Sequence, residues 1–299
     1  MITLFHYEFV QNAFLAGTLV ALVTAVVGYF VVLRAQSFAG EALADIGFTG
    51  ASGAALFGIG SLVGMLGFTF LAALGMGALG ERVKGRDVEI GMVLSFALGL
   101  GVLFLGVYTQ GGGNANTGVG ILFGSILSVT RSDVFTTLGL SIAVLLTLAF
   151  LFRPLLFASV DPEVAQTRGV PVRLLSIVFL IILGVTTAEC ALVIGVLLVF
   201  ALLIAPAATA ERITHRPLTA IILSVILGLT FTWGGLLLAF VGPGHHLPVS
   251  FYISALTGFS YFVSVIIGRV NSPRRYKTTP YSGCKELSES AHSVSLHSR

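Results

Sequence analysis

The chain has 299 residues, 56% hydrophobic and 10% charged, with a net charge of +3 and a mean hydropathy of +1.01. A soluble domain carries about a quarter charged residues. This composition therefore excludes a soluble enzyme or nucleic-acid-binding domain and points to a polytopic α-helical membrane protein with lipid as its surroundings. The 36 glycines suit close helix packing in lipid. Cys190 lies in an apolar run and Cys284 in a polar tail, so no disulfide is expected. No basic segment precedes the first apolar run, so no cleaved signal peptide is expected.

A spanning helix needs about 20 apolar residues. Runs at 9–33, 37–58, 61–79 and 88–108 meet that length, the second despite two acids in its first half. A Gly-rich loop, "TQGGGNANTG", follows, then "VGILFGSILSV", which is too short to cross and reads as re-entrant or near the surface. The next span is 135–152. The run 174–206 is too long for one helix and predicts two short crossings broken near "TTAEC" (186–190). Runs at 218–241 and 249–267 close a membrane domain over 1–268, and the Ser-rich segment 269–299 reads as a disordered polar tail. The count is about nine spans, with eight as the alternative. Placing the turns at 34, 81–87, 153–173 and 211–217, together with the tail, in the cytoplasm puts every Lys and Arg except Arg131 inside. The N-terminus is then outside and the C-terminus inside.

The stretch "SFAGEALADIGFTG" (37–50) is unusual for a membrane helix. Residues four apart share a helix face, so Ser37, Glu41, Asp45 and Thr49 form a polar stripe beside a small-residue stripe of Gly40, Ala44, Gly47 and Ala51. A carboxylate in mid-bilayer costs at least roughly 2.5–3.5 kcal/mol on insertion scales, which favours a cation path. The alternative for Glu41 is pairing with Arg34 near the cytoplasmic end. Glu189, beside Cys190, could help ligate a transition metal or could mark the outer interface. His245 and His246, in "VGPGHHLP", offer a weak metal pair in an outer turn. His215 reads as a solvated loop residue, and His292 and His297 are too sparse for a metal tract.

No H-E-x-x-H, G-x-S-x-G or P-loop pattern occurs. The chain is not expected to be an enzyme or to hold a cofactor. Uphill transport would draw on an ion gradient or on a separate ATPase. The inner segment "SVDPEVAQTRGVPVR" has a helix-compatible pattern, with Asp161 as N-cap, Pro162 at the first helical position, Glu163 next, Ala165 within and Gly169 at the end. A small-residue helix ended by Gly can dock in a groove on another protein; the alternative is a plain connector.

On three stretches the chain resembles the permease subunit of the metal-importing ABC transporters, the ABC-3 family. They are "SFAGEALADIGFTG", "LFGSIL" followed by Asp133, and the region from "DPEVAQTRGV" to "GVLLVFALLIAPAATAERIT" with its "LLIAPAATA" core. The resemblance implies a type II-like importer permease that carries zinc, manganese or iron. It also implies a partner ABC ATPase docked on 161–169, an extracytoplasmic metal-binding protein that does most of the selecting, and a second permease copy. The second-helix motif has a His where this chain has Asp45 and a Pro where it has Thr49, while its acid is kept as Glu41. That substitution leans toward a harder ion or a weaker, transient site. A secondary cation- or proton-coupled transporter using Glu41 and Asp45 is the alternative, although no inverted repeat is visible. A scaffold without transport leaves the acid pair unexplained.

Overall fold

In lipid, an apolar run satisfies its backbone hydrogen bonds internally only as a helix or within a closed barrel. The chain takes the first solution. The computed structural model describes residues 7–79, 86–114, 116–124, 126–214, 216–241 and 249–271, and among these the regular elements are all helical. They are α1 (Glu8–Leu33), α2 (Ser37–Leu56), α3 (Ser61–Leu79), α4 (Arg86–Gln110), α5 (Asn116–Phe123), α6 (Arg131–Val160), α7 (Pro162–Thr167), α8 (Val172–Ile194), α9 (Val196–Ile213), α10 (Pro217–Val241) and α11 (Val249–Asn271). A 3₁₀ turn, Ile126–Ser128, precedes α6. The described residues up to Ser264 form one compact unit.

Among the described residues, eight helices are long and apolar enough to cross a membrane: α1, α3, α4, α6, α8, α9, α10 and α11. With α2, whose acids lower its hydropathy, the described residues hold nine long helices, which agrees with the sequence expectation. Large apolar side chains such as Phe96, Phe135, Phe150 and Phe259 are exposed, as lipid-facing positions require. The break in the long run differs from expectation. It falls at Gly195 (φ 89°, ψ 150°), not near 186–190, which lies inside α8. Thr186 and Thr187 donate to the carbonyls of Ile182 and Gly184, so their hydroxyls are satisfied within the helix and do not break it.

Gly195 breaks the run because of what it meets. Gly124, after α5, also has positive φ (76°), and the two glycine backbones touch so closely that a Cβ on either would strike the other's segment. The short segment after α4 therefore runs to the α8–α9 join and packs on α9, α8 and α2 without crossing. At the same end, Thr130 and Asp133 form a capping box at the start of α6, and Arg131 pairs with Glu8 at 3.0 Å. At the opposite end, Arg34 donates to Ser176 (2.6 Å) and Arg173 to the Ala78 carbonyl (3.2 Å).

The helix α2 packs on α3, α4, α8 and α9. Its crossing with α3 is set by Gly50 and Gly64, each of which leaves no room for a Cβ against the other's carbonyl. On α4, Gly101 lies against Phe48 and Thr49.

The α8–α9 join generates a stability prediction. Gly195→Ala adds a Cβ at a backbone conformation that is essentially glycine-only and into a neighbouring backbone. It should lower stability by roughly 1–3 kcal/mol or more, read as a fall in Tm of the detergent-solubilised chain. Gly139→Ala, at a helical glycine facing open space, should cause no loss. Equal Tm values for the two variants would contradict the contact.

Candidate cation path on a wrapped helix

Between Ala39 and Ala54, only Glu41 and Asp45 are not buried. Neighbouring helices cover the rest of that stretch. Of the small-residue stripe, Gly40 lies against the Leu203 side chain of α9 and Gly47 against Thr69 of α3, while Ala44 and Ala51 are buried. One turn of spacing keeps the two carboxylates on one open strip with Ser37, which is also partly exposed.

Thr49 ends that strip. It is 1% exposed, and its hydroxyl donates to the Ala97 carbonyl of α4 (2.6 Å) while lying 3.4 Å from the Asp45 carbonyl. Its hydroxyl thus serves the α2–α4 contact. Arg34, the sequence candidate for pairing with Glu41, reaches α8 through Ser176 and lies over the Phe179 ring, 5.3 Å from its centroid.

Glu189 is on α8, away from the α2 strip, and is 2% exposed. Ser141 of α6 donates to its Oε1. Ser141, one of four hydroxyl residues in the apolar run 135–152 of α6, is the residue that sequence reasoning missed; its only signal was its polarity. Cys190 is fully enclosed within an apolar cluster. His245 and His246 lie outside the described residues, as does His215. Among the described residues, no group of three or more His, Cys, Asp or Glu could hold a metal ion.

The 161–169 segment has the local geometry that its sequence predicts. The Asp161 side chain accepts from the Val164 amide (3.0 Å), Pro162 opens α7, and Gly169 has φ 81°. Ala165 is buried against the chain's own core. Asp161, Glu163, Val164, Gln166, Thr167, Arg168 and Gly169 are exposed. One alanine anchors the helix and the rest of its surface is open.

Residues 6–268 match the ABC 3 transport family. The manganese transport system membrane protein MntC of Halalkalibacterium halodurans is 32% identical over 238 residues, 78% of this chain and 79% of that protein. The manganese import system permease protein ScaB of Streptococcus parasanguinis is 31% identical over 264 residues, 88% of this chain and 91% of that protein. The solved structure of PsaBC from Streptococcus pneumoniae in complex with Fab superimposes with a TM-score of 0.77 at 28% identity, covering 88% of this chain and 95% of that one. An inward-facing putative metal-chelate type ABC transporter shares the fold, with a TM-score of 0.66 at 16% identity over 86% of this chain and 85% of that one. The chain belongs to the ABC 3 transport family.

Proposed function

We propose that the chain is the membrane-spanning permease of an ABC importer and passes a divalent transition-metal cation, with manganese the best fit. The observation that carries this reading is the pair Glu41 and Asp45, the only residues between Ala39 and Ala54 that are not buried. Relatives named as manganese transport and import permeases support the choice of cargo. Carboxylate oxygens suit manganese better than the softer demands of zinc. A second copy of the chain completes the path and brings a second acid pair to it. ATP hydrolysis takes place on a separate ATPase subunit, and an extracytoplasmic metal-binding protein delivers the cargo.

The remaining expectations fit this frame. Arg34, Arg168, Arg173, Arg212 and Arg216 flank helix ends opposite to Arg131, which supports a cytoplasmic location for the former in a bacterial plasma membrane. Residues 269–299 form a cytoplasmic tail beyond the membrane domain. The exposed face of α7 is the ATPase contact.

Three outcomes test the reading. Asp45→Asn keeps size and removes charge. In vesicles holding the full importer, uptake of radiolabelled manganese should fall about tenfold or more, because a carboxylate attracts a divalent ion strongly in a low-dielectric path. Asp45→His should retain part of the uptake and shift preference toward zinc. Thr49→Val is the packing control: loss of its hydrogen bond should cost about 0.6 kcal/mol of stability without changing the manganese-to-zinc ratio. Unchanged uptake of both metals by Asp45→Asn removes Asp45 from the path.

Topology is read by thiol labelling. Cys284, outside the described residues, should react with a membrane-impermeant reagent only when the cytoplasmic face is open. Labelling in intact cells would reverse the orientation.

Coupling is read at Gly169. No atom lies within 4 Å of a Cβ built there, so Gly169→Val meets open space at its first side-chain carbon. It does strain a positive-φ turn on the docking face. The variant should insert normally, yet lose metal uptake and co-purified ATPase. Wild-type levels of both would argue against α7 as the contact.

A further inference from the structure

A cavity of about 340 Å³ lies at the end of the bundle that holds the α2–α3 turn and the start of α6. It is separate from the Glu41–Asp45 strip. Its wall includes Glu189, Asp133, Ser61, Ser128, Thr136 and Thr137. Its polar donors are thus oxygens, two of them carboxylates. The volume is ample for an ion with several waters, since one water needs only about 10–15 Å³ of such space.

Glu189 is the second observation. Its side chain is buried, and Oε1 is held by Ser141. Its Oε2 is buried without a hydrogen-bond partner among the described residues. An unmet buried carboxylate oxygen is costly. Among the residues that line the cavity there is no basic side chain, and Arg131, two residues before Asp133, pairs with Glu8. The Asp133 carboxylate is fixed in place by the Thr130 amide (3.0 Å) and hydroxyl (2.7 Å). A positive ion in the cavity would supply the partner that Glu189 Oε2 lacks. Oxygen-only donors select hard cations over those that require nitrogen or sulfur.

We infer that Glu189 and Asp133 form a second cation site, off the α2 strip, that takes a hard divalent cation of the Mn²⁺ class. Its location on the outer side and the identification of its ion with the cargo rest on the function proposed above; the site itself rests on the cavity and on Glu189.

The test is Mn²⁺ binding to the full chain in nanodiscs, with free Mn²⁺ followed by its EPR signal. Wild type should bind Mn²⁺. Glu189→Gln and Asp133→Asn should each weaken one class of bound ion by about 10- to 100-fold or more. Asp133→Asn keeps an oxygen acceptor for the helix cap, so it decides the question if Glu189→Gln does not fold. Asp45→Asn should retain this class. Absence of Mn²⁺ binding by wild type, or wild-type affinity in either folded carboxylate variant, overturns the site. Binding lost in Asp45→Asn alone also overturns it while leaving the proposed function intact. Unchanged vesicle uptake by Asp45→Asn, with the Glu189-dependent binding present, has the opposite meaning.

Discussion

A charged carboxylate at the centre of a lone membrane helix costs about 2.5–3.5 kcal/mol on insertion scales, and α2 carries both Glu41 and Asp45. The helix cannot face lipid on all sides at that cost. The fold covers the rest of the helix with α3, α4, α8 and α9 and leaves the acid strip open. Such cover needs backbones to approach closely. Gly50 against Gly64 supplies that approach on α3, and Gly101 against Phe48 and Thr49 supplies it on α4. The hydroxyl of Thr49, donated to Ala97, adds a polar tie where the two helices meet. The glycines thus make the cover possible, and the two acids occupy the strip between Ala39 and Ala54 that it leaves open.

The helix α8 links the remaining features. It packs on α1, α2, α3, α6 and α9. At its first turns, Arg173 and Ser176 tie it to α3 and α1, and α7 precedes it directly. At its last turns, Glu189 meets α6, and Gly195 meets Gly124. Its 23 residues at 1.5 Å each extend about 35 Å, enough to cross the hydrocarbon core. One continuous rod thus joins the exposed α7 surface to the Glu189 cavity at the other end. Its polar residues do not interrupt it, because Thr186 and Thr187 return their hydroxyls to the preceding turn.

Hydrophobic run lengths made the nine long helices legible, and the four-residue spacing of Glu41 and Asp45 made their shared face legible. The α7 cap was legible too, since Asp161 and Pro162 act through local backbone chemistry. What escaped was set by distant contacts. The break was expected at a polar cluster, but polarity can be satisfied inside a helix, whereas Gly195 had to meet Gly124 from a far earlier part of the chain. Thr49 shared the acids' periodicity, yet α4 covered it. The partnership of Ser141 with Glu189 joins residues 48 apart, and no local pattern announces it.

The donor set on α2 also bears on how passage and selection are divided. A tight metal site gathers three or four ligands and fixes their geometry with second-shell contacts. Among the described residues no such group exists. Two carboxylates on one open strip attract a divalent ion without replacing its whole hydration shell. Conduction needs binding that is favourable enough to admit an ion and weak enough to release it. An incomplete oxygen set meets both conditions, whereas an imidazole in place of Asp45 would favour softer ions and hold them longer. On the function proposed above, α2 then contributes only a coarse preference for hard ions, and finer discrimination is left to components that bind cargo before it reaches the membrane.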